Sequence, residues 1–202
     1  MADSNNIVIV NTGCANISSV KFAVERLGVQ VTVSDDTGII QKADKVFLPG
    51  VGSANAAMAS IEQKQLSQCI QELSQPVLGI CLGMQLMVER SEESLTDNTA
   101  CLGLIPGQVK RMQVGDLRLP HMGWNTVKAI DDTPLFKGID EPSYFYFVHS
   151  FAVAVSEFTM ASCEYGMAFS AALHKDNFFG VQFHPERSSD AGAQLLKNFI
   201  EL

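Results

Sequence analysis

The chain lacks the features that mark a membrane, secreted or nucleic-acid-binding protein. No stretch approaches the roughly 20 consecutive apolar residues that a bilayer span requires, and no basic segment precedes the short apolar run near the N-terminus. Neither a membrane helix nor a secretory leader is expected, and a cytoplasmic location is. The five cysteines (Cys14, Cys69, Cys81, Cys101 and Cys163) are odd in number, scattered and without C-x-x-C spacing, which excludes a disulfide framework and a zinc site and fits a reducing compartment. Basic residues are sparse, 14 Lys and Arg against 22 Asp and Glu, and none cluster to neutralise a phosphate backbone. Repeats, low-complexity tracts and linkers are missing too, so residues 1–202 are expected to form one domain with one well-buried core.

What is present divides into two textures. Up to Ser91, strands and helices alternate: strands at Asn6 to Asn11, Val29 to Val33, Lys45 to Leu48 and Pro76 to Ile80, and a helix from about Asn16 or Ser18 to Gly28. A long helix is expected to carry Ala56, Met58, Ile61, Leu66, Cys69, Ile70 and Leu73, and another to run from Leu82 to about Arg90. Strands apolar on both faces and separated by helices predict a mostly parallel sheet covered on both sides. After Ser91 come β-rich segments at Gln108 to Met112, Asn125 to Ala129, Tyr144 to His149, Phe151 to Val155, Met160 to Tyr165, Phe169 to His174 and Phe178 to Phe183. A closing helix spans Gly192 to Leu202. The fold class is therefore α/β, with an antiparallel β extension in the C-terminal half. Glu89-Arg90-Ser91-Glu92-Glu93 is taken as a solvated helix end and loop.

The chemistry centres on Pro76-Val77-Leu78-Gly79-Ile80-Cys81-Leu82-Gly83-Met84-Gln85, an apolar strand turning into a helix with a sulfur at the apex. Glycines two residues either side of Cys81 ease the strained backbone and close strand-to-helix contact of a nucleophile elbow, and N–H groups at the start of a helix favour a negative sulfur. A cysteine after an apolar strand also serves simply as a small buried hydrophobe. A nucleophile needs a base and an orienter. His184 ends the strand Phe178 to Phe183, and because Pro185 is expected to keep the backbone extended, Glu186 should fall on the same side as His184 and reach its ring; the alternative is a strand-end histidine beside a solvated acid. His121 in a Pro-rich loop and His174 near a turn suit surface roles, while His149 either lines a pocket or satisfies its own hydrogen bonds in the core. Pro49-Gly50-Val51-Gly52 fails as a dinucleotide loop, since Asn55 stands where a third glycine belongs. It suits an oxyanion site, with N–H groups from Val51 or Gly52 and from Leu82.

Gly79-Ile80-Cys81-Leu82-Gly83-Met84-Gln85 with Phe183-His184-Pro185-Glu186, joined to Leu48-Pro49-Gly50-Val51-Gly52, resembles the class I (triad) glutamine amidotransferases of flavodoxin-like fold over essentially the whole chain. Leu119 to Asn125, Tyr144 to Ser150 and the turn into Asn16 resemble the members that serve histidine biosynthesis. The resemblance implies L-glutamine as substrate, no cofactor or metal, and a heterodimer with a HisF-type (β/α)8-barrel cyclase that uses the ammonia to make imidazole glycerol phosphate. It makes Cys81 the nucleophile, His184 the base and acid, and Glu186 the orienter. Gly50, Gln85, His149 and Ser150 would border the glutamine, and Asn16, Trp124, Tyr146 and Arg187 would face the partner. Cys14-Ala15 departs from relatives that carry a second glycine in that turn. Rival readings are a triad amidotransferase of another pathway, a cysteine peptidase of the same fold and a noncatalytic scaffold.

Overall fold

The computed structural model describes residues 6–13, 16–93, 98–130 and 133–202; the Cys14-Ala15 departure lies outside them. The N-terminal half alternates β1 (Ile7–Val10), α1 (Ile17–Glu25), β2 (Val31–Ser34), α2 (Thr37–Gln41), β3 (Lys45–Gly50), α3 (Ala54–Gln63), α4 (Ser67–Gln71), β4 (Val77–Cys81) and α5 (Leu82–Leu86). The remainder is mostly strand: β5 (Arg90–Ser91), β6 (Thr99–Ala100), β7 (Gln108–Arg111), β8 (His121–Ala129), β9 (Ser143–His149), β10 (Phe151–Val153), β11 (Thr159–Glu164), β12 (Ala168–Lys175) and β13 (Phe178–Val181) precede α6 (Ser189–Glu201).

One sheet joins both halves in the order β2-β1-β3-β4-β13-β12-β11-β8-β9. Pairings from β2 through β13 are parallel, and those from β13 to β9 are antiparallel, so the antiparallel extension continues the central sheet. Alternation along β1 shows why both faces are covered: Ile7 and Ile9 join a cluster with Val20 and Phe199, whereas Val8 and Val10 join one with Ile61 and Leu82. Thus α1 and α6 cover one face, and α3 to α5 the other. Each fully buried Ile, Val or Phe contributes about 1.5–3 kcal/mol. Asp36 Oδ1 accepts the Ile39 N–H at 3.0 Å and starts α2, a cap worth about 1 kcal/mol. A second sheet, β10-β7-β5-β6, lies beside the first.

Several boundaries differ from the sequence expectation, and three of them change the reading. The long helix carrying Ala56 to Leu73 is two helices, because Gln65 adopts a left-handed backbone (φ 57°) and the Leu66 N–H donates back to Ile61 O at 3.0 Å, closing α3. Leu66 is fully buried, so the apolar period continues across the break and conceals it. The helix expected to reach Arg90 ends at Leu86, after which Arg90 and Ser91 pair with β6 and β7. Strand β8 begins at His121, four residues before the expected Asn125, with Gly123 (φ 128°) paired opposite Phe147.

Candidate active site

Cys81 closes β4 with φ 54° and ψ −111°, a region that non-glycine residues rarely occupy and that costs on the order of 1–3 kcal/mol. The glycines make this turn possible. A Cβ on Gly83 would overlap the Leu48 carbonyl oxygen, and one on Gly79 would stand 2.8 Å from the Gly83 backbone. Strand β13 runs parallel beside β4 with Val181 opposite Ile80, so Cys81 at the end of β4 and His184 shortly beyond β13 emerge at the same end of the sheet.

His184 Nδ1 and Glu186 Oε1 lie 2.8 Å apart, with side chains 4% and 0% exposed. The backbone achieves this differently from the extended segment expected. Pro185–Arg187 is a 3-10 turn, held by the Arg187 N–H to His184 O (3.0 Å) and by Ser188 Oγ donating to the same oxygen (2.6 Å). Burial opposes a charge on His184, but interactions with the Cys81 sulfur and the Glu186 carboxylate outweigh it and hold the imidazole up at about 10. His184 Nε2 makes no aligned hydrogen bond at rest, although the Cys81 sulfur is its electrostatic partner. Asn16 Nδ2 donates to Glu186 Oε1 at 2.6 Å, a contact with no signature in the sequence, and Glu186 Oε2 is buried without a partner.

A cavity of about 240 Å³ opens over this turn. Val51, Gly52, Cys81, Leu82 and His184 line it, and Gln85, His149 and Ser150 do as well. Gly50 does not: it pairs with Cys81 inside the sheet, with no room for a Cβ against Gly83 N (3.0 Å), and lies beneath the elbow. Gln85 Nε2 is committed within the protein, to Phe151 O at 3.0 Å and Gln182 Oε1 at 2.8 Å. Gln182 in turn places its Nε2 3.8 Å from Cys81 Sγ.

Glu93 also lines the cavity and is half-buried, which corrects its assignment to a solvated loop; burial raises its carboxyl above the usual range. It is the one carboxylate on the cavity wall among the described residues. Nothing local in the sequence separates it from exposed Glu92, because strand β5 places it there. His121 is likewise misplaced by its flanking Pro120: it is 3% exposed on β8, not on a surface loop. His174 is exposed, its Nε2 donating to Asp176 O at 2.8 Å.

Contacts link the residues expected to face a partner. Asn16 reaches Glu186, and Arg187 places its guanidinium 4.5 Å over the Tyr146 ring. Tyr146 meets Trp124 edge-on at 6.1 Å, and Trp124, a lone tryptophan that usually belongs to a core, is 52% exposed. Among the described residues no helix is long and apolar enough to cross a membrane.

The family model for glutamine amidotransferase class-I matches residues 8–202. The "Imidazole glycerol phosphate synthase subunit HisH 1" of Vibrio vulnificus (strain YJ016) is 57% identical over 199 residues, covering 97% of this chain and 98% of the relative. The HisH subunit of Haemophilus influenzae is 56% identical, covering 97% of both. Among solved structures, a putative GMP synthase subunit from Thermoplasma acidophilum superposes with a TM-score of 0.76 at 16% identity, over 98% of this chain and 94% of that one. The glutaminase domain of Trypanosoma brucei CTPS, solved with bound acivicin, gives 0.67 at 18%, over 96% and 92%. Those two likenesses establish the fold, and together with the family match and the relatives more than half identical along nearly the full length they lead to one conclusion: this chain is an enzyme of the class I glutamine amidotransferase family, in its HisH group.

Proposed function

We propose that residues 1–202 act as one cytoplasmic glutaminase domain that hydrolyses L-glutamine through Cys81, His184 and Glu186. The observation that carries this reading is the placement of His184, bound to a buried carboxylate through Nδ1 and free to serve the Cys81 sulfur through Nε2. The thiol proton resides on His184, whose ring the Cys81 sulfur and the Glu186 carboxylate hold protonated, and the sulfur attacks the carboxamide carbon. N–H groups of Val51 or Gly52 and of Leu82 receive the developing oxyanion, an interaction worth on the order of 3 kcal/mol. His184 then protonates the departing ammonia, leaving a glutamyl thioester, and activates the water that releases glutamate. A rotation of the Gly50 to Gly52 backbone would remove the oxyanion donors and idle the site. Glu93 supplies the negative charge for the α-ammonium of glutamine, a role that its position on a cavity of amino-acid size supports.

The ammonia passes to a HisF-type (β/α)8 cyclase docked on the face of Asn16, Trp124, Tyr146 and Arg187, for synthesis of imidazole glycerol phosphate. The names of the relatives support the lyase complex, and the exposed aromatic face supports the docking site. The test is a glutaminase assay of the chain alone and mixed with the cyclase and its nucleotide ligand, beside alkylation by a glutamine-mimicking diazoketone. Stimulation in the mixture and labelling lost in Cys81→Ala are expected. Burial pushes the Cys101 thiol to about 11 and the Cys163 thiol to about 12, so neither should compete for the label. Equal rates with and without the partner would rule out the gating, and labelling that survives Cys81→Ala would rule out the nucleophile.

A further inference from the structure

His121 and His149 form a cross-strand pair between β8 and β9, and their hydrogen bonds can be assigned donor by donor. The Phe151 carbonyl oxygen can only accept, so His149 Nδ1, 2.9 Å away, carries a proton. His149 Nε2 is then an acceptor, and the nitrogen 3.0 Å from it, His121 Nδ1, must donate. His121 Nε2 is left to accept from the Asn125 side-chain nitrogen at 3.2 Å. The Asn125 amide is oriented independently, its oxygen accepting the Thr126 N–H at 2.8 Å and its nitrogen donating to Glu164 O at 2.9 Å. One proton arrangement satisfies the row from Asn125 through His121 and His149 to Phe151, and it requires two neutral rings. Burial meets that condition, pushing His121 down to about 4 and His149 to about 3.

The row ends on the cavity wall. Phe151 O also accepts from Gln85 Nε2, whose other partner, Gln182, extends to the Cys81 sulfur. A single carbonyl oxygen therefore joins the histidine row to the neighbours of the nucleophile. The His121 ring is stacked between Phe147 (4.8 Å) and Tyr165 (4.1 Å), which aims its Nδ1 at His149.

We propose that His121 is a positioning residue for the glutaminase reaction: through His149 it holds the wall from His149 to Phe151, and with it Gln85, where the amino-acid end of glutamine binds. This role rests on the glutaminase reading above. It touches no reacting atom, so its loss acts on binding before it acts on chemistry.

The test uses the full chain mixed with the cyclase and its nucleotide ligand, with sites counted by stoichiometric diazoketone labelling. His121→Phe keeps a stacking ring and removes the donor; KM for glutamine is expected to rise about tenfold while kcat per labelled site stays within about threefold. His121→Asn returns an N–H at the δ position and should bring KM back to within about threefold of wild type. A merely structural residue would lower the labelled fraction and leave KM unchanged, and that result, or an Asn variant no better than Phe, overturns the proposal. In ¹⁵N-histidine NMR of the wild type, both rings should be neutral with the proton on Nδ1 from pH 8 to pH 5; a proton on Nε2, or titration of either ring near 6.5, breaks the row and the proposal with it. A wild type that keeps these signals but hydrolyses no glutamine even with the cyclase and its nucleotide ligand would instead remove the glutaminase reading, and the positioning role with it, while leaving the row intact.

Discussion

Three buried histidines, two on the cavity wall and His121 behind His149, are driven in opposite directions by their neighbours. Desolvation dominates at His121 and at His149, where repulsion from the neighbouring histidines His121 and His184 adds to it; His184 meets a carboxylate and a sulfur, which overcome the same penalty. Because the His184 value is raised from 6.5 to about 10, the stability it contributes is fully present below about 6.5 and is lost as pH rises through about 10. Urea unfolding should therefore show stability falling between pH 7 and pH 10, with the slope reduced in Glu186→Gln, which removes one of the groups that raise the ring. A slope unchanged by that substitution would show that the carboxylate does not hold the proton. Glu93 allows a sharper test, since it is proposed to meet a charge on the substrate. Glu93→Gln should forfeit about 2 kcal/mol of a charge-assisted contact, raising KM for glutamine roughly thirtyfold with kcat little changed. An equal loss in kcat alone would place Glu93 in the chemistry rather than in binding.

The elbow is where element geometry governs function, and it is held open by absent side chains. Gly83→Ala would drive a methyl into the Leu48 carbonyl, a backbone atom that cannot swing aside. Overpacking of this kind costs about 3 kcal/mol or more, so a fall in melting temperature of about 6 °C or greater is expected for a chain of this size. Gly103→Ala provides the contrast: Gly103, unlike Gly83, has positive φ (65°) but nothing within 4 Å, so only the left-handed penalty of about 1–2 kcal/mol applies. Equal melting shifts in the two variants would mean that the elbow relaxes around the added methyl. The elbow was legible in the sequence because its glycines, cysteine and apolar strand are contiguous, and the parallel half was legible because its strands are apolar on both faces. Other features depended on contacts between distant segments. Gln65 ends α3 without a glycine to announce it, Pro120 and Gly123 disguise the start of β8, and Glu93 reaches the cavity only because β5 pairs with β6 and β7. Glu186 reaches His184 by a 3-10 turn, so the pairing followed from the sequence while the backbone reason for it did not.

At the scale of the whole molecule, the sheet ends on β9, and this edge carries the exposed aromatic surface. Met122 and Trp124 share one face of β8, Tyr144 and Tyr146 share one face of β9, and Trp124 stands directly opposite Tyr146. Met122, Trp124 and Tyr144 are 62%, 52% and 56% exposed, an apolar patch that suits a protein partner better than water. The same patch touches the active site from behind, because Tyr146 O accepts the His184 N–H at 2.9 Å and the Tyr146 N–H donates to Ser188 Oγ at 3.0 Å. A cyclase seated on Trp124 would thus press on the strand that anchors the backbone of His184. Trp124 is the only tryptophan in the chain, so its fluorescence reports this face alone. Titration with a tryptophan-free cyclase should shift the emission to shorter wavelength as the indole is buried, and Trp124→Ala should weaken the complex by about 2 kcal/mol, roughly thirtyfold in Kd by calorimetry. The free variant should melt within about 2 °C of wild type, because substitution of a half-exposed side chain away from caps and ion pairs stays near 0.5 kcal/mol. Complex formation without any change in emission would move the docking site off this edge, and the route of the ammonia with it.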